Sequence, residues 1–182
     1  MKGIILYEGK YGATQQYAQW LSEELQLPVF HPQTINTGEL AGYDFIVLGS
    51  SVYAGRLLIS GWMKKHAAVL QTKKLFLFVV CATPASELEK LQQLLKSNLP
   101  PSLLDRCTVR FLSGRMIFKN LSWLDKLVLR LGASIQKDPK QKKEMLTDFD
   151  AVKKENIASL LAAVNAFSIS KTGDTVQQVA VH

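Results

Sequence analysis

Apolar and polar positions change period several times along the 182-residue chain. Continuous apolar runs, typical of strands buried on both faces, occur in five places: Gly3–Tyr7, Leu27–His31, Tyr43–Ser50, Lys74–Cys81 and Thr108–Leu112. Apolar residues recur at helical spacing in other stretches: about Ala13–Gln26, about Leu58–Gln71, about Ala85–Leu99 and Asp148–Phe167. The pattern therefore predicts strands and helices in alternation.

Such alternation, with strands rich in Val, Ile, Leu and Phe, predicts an α/β fold: a three-layer αβα sandwich around a parallel sheet. Five strands without a sixth favour the strand order 2-1-3-4-5 over the longer dinucleotide-binding sheet. In these sheets ligands bind beyond the carboxyl ends of the strands, where the order reverses. Three loops would therefore meet at one edge of the sheet: Glu8–Thr14, Ser50–Arg56 and Cys81–Ser86.

The segment from about 114 to 145 exceeds what a compact connection needs. It contains a short amphipathic helix, Ser122–Leu131, and a basic polar loop, Gln136–Lys143. We therefore expect an inserted basic helix-loop before the last helix, within a single domain of residues 1–167. Residues 168–182 are polar and poorly patterned, which predicts a mobile C-terminal tail.

The first loop combines two glycines, a lysine and a hydroxyl immediately before a helix. Free backbone N–H groups and the positive end of the helix dipole make such a place suitable for an anion. Gly12 would let backbone amides approach a phosphate and Thr14 would donate a hydroxyl, with Lys10, Tyr11 and Ala13 beside them. An ordinary strand-to-helix turn with a solvated lysine is the alternative interpretation.

The other two loops offer groups for a planar ring. Tyr53 could stack on the ring, or be a half-buried loop tyrosine. The remaining candidates are small or hydroxyl-bearing residues: Ser50, Ser51, Val52, Ala54 and Gly55 in the second loop, and Ala82 and Thr83 in the third. Thr83 could instead cap the helix that follows Pro84. No residue is assigned a catalytic role.

Charge narrows the range of partners. The net charge is +7, and residues 106–154 carry all of it, with 12 basic and 5 acidic side chains, whereas the remainder has 10 of each. This surplus suits an acidic small molecule, a lipid headgroup or nucleic acid, although no recognised nucleic-acid motif is present. Cys81 and Cys107 are far apart and the three histidines are scattered, so no metal site is expected. The chain has no apolar run of about 20 residues and no signal peptide, which predicts the cytoplasm.

The motifs Ile4–Tyr7, Gly12–Thr14 and Tyr43–Gly49 resemble the flavodoxin-like family. Further motifs are similar to the bacterial menaquinone-dependent protoporphyrinogen oxidases: Gly49–Gly55, Met63–His66, Arg106-Cys107 and Trp123–Lys126. The resemblance covers Met1 to about Val164. It implies FMN held by the first loop and sandwiched by the other two, with the basic segment Arg115–Lys143 near the flavin.

Two departures from the family pattern concern the flavin. Glu8 stands where a flavodoxin phosphate loop usually has Ser or Thr, and a carboxylate close to a phosphate is unfavourable. It must turn away, or the affinity must drop. The third loop, Ala82-Thr83-Pro84, lacks the expected aromatic residue. A weakly held flavin, or none, is therefore an open alternative.

Three functions follow as hypotheses. The first is an FMN-dependent oxidoreductase that oxidises an anionic planar substrate such as a porphyrinogen and reduces a quinone. Trp123, Leu124, Leu127 and Leu131 would then lie on the inner face of the membrane, or else pack onto the domain. The second is a flavodoxin-type electron carrier, which the basic charge disfavours. The third is a flavin-free binding protein; a phosphoacceptor receiver is excluded because Gly49-Ser50-Ser51 ends the strand where an aspartate is required.

Overall fold

A computed structural model describes residues 1–84, 86–135, 138, 139, 142 and 146–179, with side chains up to residue 170. Strands in chain order are β1 (Gly3–Glu8), β2 (Val29–Phe30), β3 (Phe45–Tyr53), β4 (Arg56–Leu57), β5 (Lys74–Cys81), β6 (Cys107–Ser113), β7 (Arg115–Met116) and β8 (Phe149–Asp150). Five of them form a parallel sheet in the order β2-β1-β3-β5-β6, and β4 pairs antiparallel with β3. This confirms the predicted order 2-1-3-4-5.

Helices cover both faces of the sheet, which confirms the three-layer prediction. They are α1 (Ala13–Leu25), α2 (Thr37–Ala41), α3 (Ser60–Lys65), α4 (Ala67–Leu70), α5 (Leu88–Asn98), α6 (Pro101–Leu104), α7 (Trp123–Ile135) and α8 (Ala158–Val179). Single 3₁₀ turns lie at Pro32–Thr34, Phe118–Asn120 and Lys154–Ile157. The predicted helix start at Ala85, the insertion end at Met145 and residues 136, 137, 140, 141, 143, 144 and 180–182 lie outside the described residues.

The continuous apolar runs are explained by two cores, one on each face of the sheet. Alternate residues of β1 point to opposite faces, so Ile4 and Leu6 pack in one core while Ile5 packs in the other. The first core includes buried residues of α2, α3 and α5, and the second includes Tyr17 of α1 and Leu160 of α8. Burial on both faces is what removes polar positions from the strands.

Strand register aligns the carboxyl ends that carry the predicted loops. Glu8 of β1 is opposite Ser50, Ser51 of β3 is opposite Val80, and Cys81 of β5 is opposite Ser113. The loops after β1, β3 and β5 therefore leave the sheet side by side, as the sequence predicted.

The inserted segment starts and ends at hydrogen-bonded neighbours. β7 and β8 pair antiparallel, Arg115 Nε lies 2.7 Å from Asp150 Oδ2, and the Ala151 N–H donates to the Gly114 carbonyl at 3.1 Å. The hydrogen bond from the Val152 N–H, together with Arg115, holds the pKa of Asp150 below its usual value. The insertion is thus closed by a small antiparallel ladder.

Two helix predictions were wrong in their limits. The predicted helix Leu58–Gln71 is two short helices, α3 and α4, separated at His66. The last helix begins at Ala158 rather than Asp148, because the Asp148 and Asp150 carboxylates accept backbone hydrogen bonds from Phe118 and Val152 and hold a non-helical conformation. This helix also continues past Phe167 to Val179. The predicted mobility of residues 168–182 stays a prediction.

Candidate functional site

A cavity of about 380 Å³ opens at the carboxyl edge of the sheet, where the three loops meet. Its volume lies within the range of small-molecule sites, roughly 300–1,000 Å³. Most of the predicted site residues line it: Lys10, Tyr11, Ala13 and Thr14 from the first loop, Ser51, Val52, Tyr53 and Ala54 from the second, and Ala82 from the third. The structure thus brings these residues together around one cavity.

The N-terminus of α1 has the properties of an anion site. Gly12 precedes the helix with φ +82°, a conformation that favours glycine, and no side chain caps the helix. The first turn carries no acidic residue, so nothing in it neutralises the positive end of the dipole. The first N–H groups of this 13-residue helix are left available to an anion.

Thr14 lines the cavity and carries a buried hydroxyl. The residue is only 1% exposed, and its Oγ1 finds no hydrogen-bond partner among the described residues. A Cβ added to Gly9 would lie 2.7 Å from the Thr14 Cβ, so glycine is what lets the loop fold against Thr14. Burying an unpaired hydroxyl is unfavourable, and a ligand that accepts its hydrogen bond would remove that cost.

Glu8 ends β1 half-buried and is not among the residues that line the cavity. Its carboxylate is therefore not part of the cavity wall in which Thr14 lies. That it turns away from a phosphate at the start of α1 stays a prediction.

The second loop is a tight hairpin between β3 and β4. Ala54 and Gly55 both have positive φ, +46° and +74°, as a two-residue type I′ turn requires. Gly55 therefore has a conformational role and does not line the cavity. Fully buried Ser50 also lies away from the cavity, because its Oγ donates to the Ser51 carbonyl at 3.0 Å and accepts from the Ile59 N–H at 3.3 Å.

Ser51 and the third loop complete the predicted set. Ser51 also lines the cavity, and its buried Oγ has no hydrogen-bond partner among the described residues, like the hydroxyl of Thr14. Gly12 and Thr83 do not line the cavity, although Gly12 sets the path of the loop that does. Cofactor binding by each predicted residue stays a prediction.

Asp125 of α7 closes one side of the cavity and was missed by the sequence reasoning. It is 3% exposed, and its carboxylate accepts hydrogen bonds from Lys10 Nζ at 2.9 Å, from Tyr53 Oη at 2.5 Å and from Tyr11 Oη. The Lys10 ammonium also lies 3.8 Å from the centre of the Tyr53 ring. Three predicted ligand residues therefore hold the inserted helix onto the sheet edge.

The resemblance placed the segment Arg115–Lys143 near the site without naming single residues. The residues of the insertion that line the cavity are Gly114, Arg115, Met116, Leu121, Val128, Leu129 and Gly132, with Phe149 at its end. One signal could have indicated Asp125. It is the sole acidic residue in α7, within a segment whose charge is strongly basic, and a lone carboxylate on an apolar helix commonly has a buried partner.

The Asp125 carboxylate raises the pKa of Lys10 above its ordinary value of 10.5, chiefly through the hydrogen bond between the two side chains. Replacing Asp125 by Asn is expected to return the Lys10 pKa toward 10.5, which NMR titration of the side chain measures. Because the folded-state pKa is raised, the pair stabilises the protein below pH 10.5 and its contribution disappears as the pH rises further. Lys10 is 38% exposed, so the loss at neutral pH should be only about 1 kcal/mol.

A matched control for this variant is Glu24→Gln, which removes the exposed carboxylate beside Lys154. We expect it to leave the unfolding free energy nearly unchanged, because water solvates both groups. An unchanged Lys10 pKa in Asp125→Asn would contradict the pairing.

The cysteines do not supply a nucleophile. Cys81 lines the cavity, but burial raises the pKa of its thiol, and burial raises the pKa of Cys107 to about 12. Both side chains are therefore thiols near neutral pH, whereas the thiolate is the reactive form. Within the described part of the chain, no group of three or more His, Cys, Asp or Glu side chains could hold a metal ion.

A parallel sheet of order 2-1-3-4-5, with a cavity beside a helix N-terminus that suits an anion, defines a flavodoxin-like α/β protein. The chain belongs to the flavodoxin domain family, because a family model described as "Flavodoxin domain" matches residues 4–143. The match runs from β1 into the segment after α7. It therefore includes most of the inserted segment.

Curated relatives include protoporphyrinogen IX dehydrogenase [quinone] of Escherichia coli, strains K12 and O157:H7. Each is 26% identical to this chain over 146 residues, which are 72% of this chain and 78% of the relative. Solved structures that resemble the chain include oxidised flavodoxin 2 of Bacillus cereus, with 15% identity, 80% and 93% coverage and a TM-score of 0.45. Two-electron reduced Megasphaera elsdenii flavodoxin has 18% identity, 62% and 83% coverage and a TM-score of 0.44.

Proposed function

We propose that this chain holds FMN at the carboxyl edge of its sheet, with the phosphate at the N-terminus of α1 and the ring in the cavity. The observation that carries this proposal is a pair of buried hydroxyls, Thr14 Oγ1 and Ser51 Oγ, which lack partners among the described residues and belong to residues that line the cavity. Both can donate to the oxygens of a phosphate or a ring carbonyl. Membership of the flavodoxin domain family supports the same cofactor.

The residues present fit this group. The helix start offers N–H donors with no acidic residue in the first turn, and Glu8 is not part of the cavity wall. A cavity of about 380 Å³ is lined chiefly by apolar side chains, as a planar ring requires. FMN would supply hydride and electron transfer, whereas the protein supplies position and electrostatics.

We further propose that the reaction oxidises a porphyrinogen-like substrate and reduces a quinone. The Escherichia coli relative is named for this activity, and the net positive charge of residues 106–154 suits a substrate with carboxylates. Arg115 is the cationic residue of the insertion that lines the cavity, and Asp150 and Gln16 hold its side chain in place. Its guanidinium would bind a substrate carboxylate at the rim.

A flavin-free binding protein is the second candidate. It is favoured by Asp125, which already occupies Lys10, Tyr11 and Tyr53, three side chains that a ligand would otherwise use. A protein that uses these three side chains to bind FMN must break or share their hydrogen bonds to Asp125. A flavin-free binding protein can keep them.

The test begins with an FMN titration of the purified protein, followed by its visible spectrum. Binding predicts flavin absorption near about 370 and 450 nm. Protoporphyrinogen added without oxygen should then bleach the bound flavin, and a menaquinone analogue should restore its colour. Flavin that binds but is never bleached would reject the substrate alone, whereas failure to bind FMN would reject the cofactor and favour the scaffold.

A further inference from the structure

Helix α7 has an outer face that nothing covers among the described residues. Trp123 is 73% and Ile135 80% exposed at its two ends, and exposed between them are Leu124, Leu127, Val128 and Leu131. Elsewhere in the described chain the exposed large apolar side chains occur singly, on different elements. A contiguous exposed apolar patch of this kind marks an interaction surface, because leaving so much apolar surface in contact with water is unfavourable.

The inner side of the same helix explains why the outer side stays exposed. Asp125 is anchored to Lys10, Tyr11 and Tyr53, and Ala133 is buried against the domain. The helix therefore cannot roll its apolar face inward without losing the hydrogen bonds of a buried carboxylate. Within the part of the chain that the structure describes, this face is therefore not packed onto its own domain.

The exposed charges on α7 itself have one sign. Lys126 and Arg130 are the cations of this helix, and each lies 5.7 Å from the Phe118 ring centre. The one acidic residue of α7, Asp125, is buried and paired with Lys10, so the exposed surface of α7 carries no carboxylate. A helix that exposes an apolar stripe and only cations among its charged side chains is complementary to an anionic bilayer.

We propose that the outer face of α7 docks in the plane of an anionic lipid bilayer. The leucines and Val128 would enter the headgroup–acyl boundary, Trp123 would lie at the interface, and Lys126 and Arg130 would contact anionic headgroups. Among the described residues, no helix is long and apolar enough to cross a membrane, so contact would be peripheral for that part of the chain. The proposal stands whether or not the cavity holds a flavin.

The test is flotation of the full chain with vesicles of phosphatidylcholine alone or with about one third phosphatidylglycerol. We expect binding to the anionic vesicles. The variant Trp123→Ser/Leu127→Ser/Leu131→Ser should lose at least about tenfold of its partition coefficient, because it removes the apolar anchor. Lys126→Gln/Arg130→Gln should lose about 25-fold of its partition coefficient, at roughly fivefold per charge.

Matched controls use equally exposed residues away from α7. Leu88→Ser/Ile169→Ser removes apolar side chains that are 63% and 72% exposed, and Lys96→Gln removes a cation of α5. These variants should bind like the parent chain, and circular dichroism confirms folding in every case. Brominated lipids should quench tryptophan fluorescence in the parent and in Trp20→Phe, but much less in Trp123→Phe.

Equal binding of the parent chain and the triple variant would overturn the proposal, as would equal binding to neutral and anionic vesicles. Sedimentation velocity examines the competing occupant, a second copy of the chain. If the parent chain is a dimer, the triple variant is a monomer and neither binds vesicles, this face is a self-association surface. That result would overturn the proposal of bilayer binding.

Discussion

Replacing Thr14 by Val is expected to stabilise the flavin-free protein by about 1 kcal/mol and to weaken FMN binding about 10- to 150-fold. Valine has nearly the shape of threonine but lacks the buried Oγ1, which has no partner among the described residues. The free protein loses an unsatisfied group, whereas the complex loses a hydrogen bond to a charged phosphate, worth about 1.5–3 kcal/mol. Urea unfolding without flavin and fluorescence titration with FMN measure the two effects.

The opposite signs make this variant informative. A residue that only supports the turn would lower stability when changed and leave FMN affinity alone. Thr72→Val is the matched control, because the Thr72 hydroxyl donates to the Val69 carbonyl at 2.8 Å, far from the cavity along the chain. The Thr72→Val variant should be slightly less stable than the parent protein and should bind FMN with unchanged affinity. A stabilised Thr14→Val protein that binds FMN normally would contradict the phosphate site.

Gly49→Ala is expected to destabilise the protein by about 1–3 kcal/mol. Gly49 lies at the centre of β3, opposite Tyr7 on one side and Phe78 on the other. A Cβ on Gly49 would lie 2.2 Å from the Phe78 Cζ, and Phe78 is fully buried and has no room to move. The phenylalanine ring occupies the space that a side chain at position 49 would need, so the cost measured by urea unfolding should be that of an overpacked core.

The partner variant Phe78→Leu identifies the cause. In the double variant Gly49→Ala/Phe78→Leu the cost should be smaller than the sum of the single costs by at least about 0.5 kcal/mol, because the shorter side chain makes room. Gly61→Ala is the control: its Cβ meets nothing within 4 Å in α3, and it should stabilise by about 0.5–1 kcal/mol. Additive single costs would show that the clash is not the cause.

The sequence predicted the sheet because burial on both faces leaves a strong local signal. Runs such as Ile4–Leu6 and Phe45–Leu48 contain no polar residue, and their alternation with helices implies parallel pairing. The three loops were predicted for the same reason, since parallel register places all their starts at one edge. Family membership was likewise predictable from the motifs of β1, the first loop and β3.

The rest depends on contacts between residues far apart in sequence. Asp125 meets Lys10 across 115 positions and Arg115 meets Asp150 across 35, and no periodicity encodes such pairs. The start of the last helix was misplaced because apolar spacing continues through residues 148–157, whereas Asp148 and Asp150 are used as backbone acceptors. The part that Ser50 and Gly55 play in holding the hairpin could not be predicted, because it exists only in three dimensions.

The ladder of β7 and β8 has a consequence for the history of this fold. Since Gly114 and Ala151 are joined by a hydrogen bond, residues 115–150 leave and rejoin the framework at nearly one point. An insertion of this kind can be gained, shortened or replaced without changing the order of the strands. The entropic cost of closing a surface loop grows only slowly with its length. The helix that closes one side of the cavity and the face proposed to bind lipid would therefore be inherited together.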